Sequence, residues 1–299
     1  MQARPTGAAS DALLRLVTGP RRPATVIGAG PQATYLVVDE TDGGGAAGSA
    51  PGTELVALVS TDAVRVPCAI VLASGSAALP GLAPGARARV GEGEVSWDGG
   101  SVAVVRWWRA AAVSGATATT VAPAELERRA AVLRRLVADH ELPPAVPPAL
   151  RAAVASIDAG QATSAAAALR PVLGLGSGLT PSADDAAAGL LLSALAWHGT
   201  AVGTTIRAIG RLLDADLATR TTAVSAGLLG HAAQGRGAPQ VVRAVQHLTG
   251  RETAGDENAV LADLLALGHS SGKDTALGVL TFLQTTTNPS HRATVRESA

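Results

Sequence analysis

The spacing of hydrophobic positions changes near the middle of the chain. From Ala24 to about Ala112, short β-branched runs recur between turn residues: Ala24–Ile27, Tyr35–Val38, Leu55–Ser60, Val64–Ala73, Ala86–Val90 and Val102–Arg109. Such runs read as strands. Thr41–Pro51 is a Gly/Ala/Ser loop, and Pro80–Gly85 and Asp98–Gly100 are turns. With no helix between the strands, a small antiparallel sheet or barrel is predicted, preceded by a short helix over Ser10–Val17. After Pro123 the period lengthens. Glu125 to His140 places Leu126, Ala130, Leu133, Leu136 and Val137 on one helical face, with Arg and Glu opposite. Helix-compatible segments follow at 148–157, 161–169, 183–198, 203–217, 220–234, 239–249, 257–267 and 272–285, and Gly199, Gly235, Gly250 and Gly268 stand where helix ends are expected. The predicted class is α+β: a β-rich N-terminal domain (1–120), an all-α helical C-terminal domain (121–287) and a frayed polar tail (288–299).

Composition narrows the function classes. Six aromatic residues among 299 leave Leu, Val and Ala to fill the core, and small residues let helices approach closely. Twenty-four basic residues balance 24 acidic ones, so there is no electrostatic footprint for nucleic acid or an anionic membrane. The single cysteine, Cys68, forms no internal disulfide and no thiolate zinc cluster. No signal peptide is read at the N-terminus, and the longest apolar stretch, Ala186 to Trp197, is too short to span a bilayer. The expected location is the cytoplasm.

Two glycine-rich segments carry the candidate chemistry. In the first, Gly174, Gly176 and Gly178 alternate ahead of a helix whose start is expected at Thr180-Pro181, as N-cap and first-turn proline. Glycines there permit positive φ and close approach of a ligand, and a helix N-terminus favours an anion. In the second, Gly268-His-Ser-Ser-Gly-Lys-Asp-Thr-Ala-Leu-Gly278 repeats the device. Ser182 to Leu191 aligns without a gap on Ser271 to Leu280, sharing Ser, Asp, Ala, Gly and Leu at matched positions. Asp185 with Gly189, and Asp274 with Gly278, lie four apart on one helical face. This predicts two helices crossing at their glycines, with both loops converging on one site. Ser182-x-x-Asp185 and Ser271-x-x-Asp274 also fit an acidic capping box, which only stabilises a helix start. Capping does not account for the alternate glycines, for Asp184, or for His269-Ser270.

Other motifs carry less. His140, His198, His231, His247 and His291 stand singly near expected helix ends and read as capping or surface residues. No zinc-hydrolase spacing, nucleophile elbow or complete dinucleotide fingerprint is present. Trp107-Trp108 reads as strand packing. Lys273 is the only lysine in the chain and stands on the second loop.

Gly174-Leu-Gly-Ser-Gly-Leu-Thr-Pro-Ser-Ala-Asp-Asp185, followed by Gly268-His-Ser-Ser-Gly-Lys-Asp274, resembles the signature pair of a family once classed only as a domain of unknown function, which includes the AllH subunit of bacterial oxamate carbamoyltransferase. Thr219–Gly235, with Thr221 and Ser225, resembles that family's middle block. Ala183 replaces the glycine usual before the paired Asp, and Lys273 replaces a small polar residue. The resemblance implies carbamoyl exchange between oxalurate and phosphate in purine-ureide breakdown, with partner subunits. On this reading Gly174, Gly176, Ser177, Gly178, Leu179, Thr180, Ser182 and Asp184 hold one anionic group, and Ser271, Gly272 and Lys273 bind the other ligand. Asp185, His269, Ser270 and Asp274 are the catalytic candidates, and Mg²⁺, if a metal takes part, would sit on the two aspartates. Two alternatives stand beside it: a Mg²⁺/nucleotide-dependent kinase or ligase using the same loops, and a non-catalytic anion-binding or assembly subunit.

Overall fold

A computed structural model describes residues 5–39, 54–73, 79, 81–113, 121–251 and 255–288. Among them are eight strands and ten α-helices, divided between two compact units, Met1–Ala111 and Ala112–Ala299. The expected loop at Thr41–Pro51 and the tail beyond residue 288 lie outside the described residues.

The first unit is a closed barrel. Its strands are β1 (Thr6–Ser10), β2 (Arg22–Ala29), β3 (Ala33–Val38), β4 (Glu54–Val59), β5 (Ala69–Leu72), β6 (Arg87–Gly91), β7 (Glu94–Trp97) and β8 (Gly100–Trp108), in the order β1-β5-β4-β3-β2-β6-β7-β8. Six of the eight pairings are antiparallel; β1 with β8 and β4 with β5 are parallel. Closure leaves no open sheet edge, and an eight-stranded barrel is narrow enough for side chains to fill. Along β3, Thr34, Leu36 and Val38 are buried in strict alternation, whereas β4 beyond Glu54 and all of β5 are buried on both faces. The expected helix near Ser10 is present as a 3₁₀ turn, Asp11–Leu13, running into α1 (Leu14–Thr18), with Ser10 accepting from the Ala12 amide.

Two strands were not legible. Thr6–Ser10 and Glu94–Trp97 are too short and too mixed in polarity for a period-2 signal, and the first is completed by its pairing with β8. The run expected over Val64–Ala73 forms a strand only from Ala69, because Pro67 lacks the donor a ladder needs.

The second unit contains α2 (Pro123–Leu136), α3 (Val146–Asp158), α4 (Ala162–Leu169), α5 (Ser182–His198), α6 (Thr200–Arg220), α7 (Ala223–Ala233), α8 (Pro239–Leu248), α9 (Glu257–Leu265) and α10 (Ser271–Thr287). Prolines open α2 and α8, where a missing N–H costs nothing. The side chains of Thr222 and Asp256 cap α7 and α9. On α2, Leu126, Ala130 and Leu133 are buried, as is Val137 just beyond the helix, but Leu136 is 43 % exposed. Arg129, expected on the outer face, is instead buried, donating to Glu125 and to the His247 carbonyl. Helices α5 and α10 are buried on nearly every face, as helices apolar all round must be.

Candidate functional site

The loop ahead of α5 is folded by its glycines and by one aspartate. Gly174 and Gly176 take φ of +78° and +120°, and a Cβ at Gly174 would lie 1.9 Å from the Arg220 carbonyl oxygen. No other residue fits there. Asp184 is buried, accepting from the Gly174 amide (3.0 Å), from Ser225 Oγ (2.8 Å) and from Thr221 Oγ1. Thr222 Oγ1 donates to the Leu179 carbonyl. The loop is thereby fastened at two points to the α6–α7 junction.

The helix begins one residue later than expected. Pro181 is the N-cap of α5, its carbonyl accepting from Asp184 and Asp185, and the Thr180 hydroxyl is directed elsewhere. Neither α5 nor α10 carries a side-chain cap, so the two Ser-x-x-Asp segments are not capping boxes. In both copies the second helical amide returns to the preceding segment: Ala183 N–H donates to the Leu175 carbonyl at 2.9 Å, and Gly272 N–H to the Leu267 carbonyl at 3.0 Å. The duplication is therefore structural as well as sequential.

The two helices cross where their glycines lie. A Cβ on Gly189 would sit 2.3 Å from the Thr275 carbonyl oxygen, and one on Gly278 only 1.9 Å from that of Ala186. This crossing brings the entrances together. Thr180 Oγ1 lies 2.8 Å from Ser271 Oγ, and both hydroxyls favour the anion of the Asp185 carboxyl. Asp274 Oδ1 accepts from His140 Nε2 at 2.8 Å, and next to that pair Lys273 Nζ lies 3.1 Å from Asp139 Oδ2. Oδ2 of Asp185 and Oδ2 of Asp274 are both buried without a hydrogen-bond partner.

Burial pushes the Asp185 carboxyl up to about 7 against the two hydroxyls, which favour its anion; the nearby Asp274 and Asp184 charges add to the rise. Lys273 holds the Asp139 carboxyl below the usual range.

Residues 172–283 match the family model of oxamate carbamoyltransferase subunit AllH. No solved structure matches the chain. The AllH match takes in both glycine-rich entrances and the crossing of α5 and α10, and leaves out the barrel and the Asp139-His140 segment.

Within the AllH-matching segment the sequence-predicted residues fall into three groups. Gly176, Ser177, Gly178, Leu179 and His269 are exposed, Leu179 by 54 %. Gly174, Thr180, Ser182, Asp185, Ser270, Ser271 and Lys273 are half-buried, and Asp184, Gly272 and Asp274 are buried. Thr180, Ser271, Asp185 and Asp274 are brought together; Asp184 is turned inward as a fastener. Sequence reading missed His140, which stands 134 positions from its partner and belongs to no motif. Among the described residues, no cluster of three or more His, Cys, Asp or Glu could hold a metal ion, and no helix is long and apolar enough to cross a membrane.

Proposed function

We propose that this chain is an AllH-like subunit of an oxamate carbamoyltransferase, and that its two glycine-rich helix entrances hold the small anions of that reaction. The observation that carries the reading is the meeting of Thr180, Asp185 and Ser271 at the α5–α10 crossing, inside the segment that matches AllH.

The reaction joins phosphate to the carbamoyl carbon of oxalurate as the bond from that carbon to nitrogen breaks, giving carbamoyl phosphate and oxamate. The phosphate hydroxyl loses a proton and the departing nitrogen gains one, so protons balance. No covalent enzyme intermediate is needed; the reactants must be held in line and the developing oxyanion given preorganised donors. The amides from Gly176 to Leu179, with Thr180 and Ser182, hold one anionic group. His269, Ser270, Ser271, Gly272 and Lys273 contact the second ligand or the carbamoyl oxygen. Asp185, the accessible carboxyl of the pair, accepts from the carbamoyl NH₂, and its titration near neutrality suits proton exchange at working pH. Asp274 acts from beneath, Asp184 and Gly174 frame the loop, and partner subunits complete the enzyme.

The test is a thermal-shift panel with phosphate, carbamoyl phosphate, oxalurate, oxamate and ATP/Mg²⁺, followed by turnover in the reconstituted complex. A bound ligand at 100 times its dissociation constant adds about 2.7 kcal/mol of stability, or roughly 5–10 °C. Stabilisation by members of the carbamoyl set is expected, with Asp185→Asn and Ser271→Ala each costing about 10²-fold in turnover. Stabilisation by ATP/Mg²⁺ alone would replace this reading with a nucleotide-dependent enzyme.

A further inference from the structure

Asp274 has no accessible surface, yet its carboxyl is bonded to a side chain that has some: the His140 ring is 22 % exposed. When the Asp274 carboxylate accepts across their 2.8 Å contact, a neutral ring carries its proton on Nε2 and leaves its other nitrogen, Nδ1, as an acceptor. A buried aspartate against one imidazole nitrogen fixes the tautomer and ring direction, and stabilises the cation formed when the other nitrogen takes a proton. The pair is also mechanically fixed. Consecutive residues Asp139 and His140 meet consecutive residues Lys273 and Asp274, which clasps the segment after α2 to the first turn of α10 at two points. Charged groups near the ring include Asp274 and Lys273 from α10, Asp139 and Glu141 on its own segment, and Asp185 of α5 beyond Asp274.

We infer that His140, aimed by Asp274, is the proton carrier of this site: a catalytic residue supplied from outside the AllH-matching segment. The inference rests on the carbamoyl-transfer reading. Nδ1 takes the proton from the attacking phosphate hydroxyl as the new C–O bond forms. It returns that proton to the ureide nitrogen as the C–N bond breaks, so the ring ends as it began. Asp274 touches no reactant and is a positioning residue.

The experiment compares wild type, His140→Gln, His140→Ala and Asp274→Asn in the reconstituted complex, assayed with oxalurate and phosphate across pH. His140→Gln keeps an N–H for Asp274 but carries no titrating proton, so it remains informative should the alanine variant fail to fold. The expected result is a kcat lower by about 10²-fold or more in both His140 variants, KM values within about threefold, loss of one limb of the pH–rate profile, and partial rescue of His140→Ala by imidazole. Full kcat with an unchanged pH profile in His140→Gln overturns the inference alone. A loss carried in KM, with no rescue by imidazole, also overturns it, because that marks a structural role. An inactive wild-type complex overturns the carbamoyl-transfer reading, and this inference with it.

Discussion

The two helix entrances share a skeleton but divide its work. In the first, the paired aspartates separate inward from accessible: Asp184 is spent on three donors that fasten the loop, and Asp185 stays half-buried with two hydroxyls. In the second, Lys273 takes the place of Asp184 and reaches outward to Asp139 instead of back to its own loop. Asp274, the counterpart of Asp185, is wholly buried and is bonded to His140. One repeated pattern thus yields an accessible carboxyl and an orienting one. The difference comes from the neighbours: α10 packs under the segment after α2, whereas α5 opens toward the α6–α7 junction.

The comparison can be broken most severely at the crossing. Gly278→Val places a branched side chain against the Ala186 carbonyl and should cost at the upper end of overpacking, about 3 kcal/mol or more. Gly230→Ala, where an added Cβ meets nothing within 4 Å, should be neutral or slightly stabilising; urea midpoints read both. Next in size, Asp184→Ala strands a buried amide and two hydroxyls, and should cost roughly 2–3 kcal/mol while exposing the 174–181 loop to faster amide exchange.

The accessible carboxyl should show itself through pH. The folded Asp185 carboxyl titrates at about 7, against the ordinary 3.8, so between these values the folded state holds the extra proton. Its contribution is present at low pH and lost as pH rises through 7, on the order of 2 kcal/mol. Asp185→Asn should flatten that slope and gain stability relative to wild type at pH 8, measured by thermal melts across pH 5–8. The smallest effect belongs to the surface half of the clasp. Asp139→Asn removes an exposed ion pair and should leave the unfolding midpoint unresolved from wild type.

The helical unit was largely legible because its apolar residues recur at helical spacing over long segments, and because Gly189 and Gly278 mark where two axes approach. The barrel was legible only as a small antiparallel sheet or barrel, without its closure or strand order. Its closure depends on Thr6–Ser10 pairing in parallel with residues nearly a hundred positions away, which no local pattern encodes. At the site, the repeated Ser…Asp…Gly frame pointed to Asp185 and Asp274. It gave no means of telling the half-buried carboxyl from the wholly buried one, since burial is decided by what packs above each helix. The hydroxyls of Thr221 and Ser225 were noticed only as part of a family block; their work is to hold Asp184. His140 had no signal at all, since a lone histidine after a helix is ordinary.

The central claim, that both entrances serve one small-molecule site, is tested most directly by a double-mutant cycle on carbamoyl phosphate affinity, using Thr180→Ala, Ser271→Ala and the pair. Each hydroxyl comes from a different entrance, and they lie 2.8 Å apart. Convergence predicts that each single variant weakens binding by roughly fivefold to tenfold. It also predicts that the pair departs from additivity by about 0.5 kcal/mol or more. Unchanged affinity in both single variants, or strictly additive losses, would contradict it.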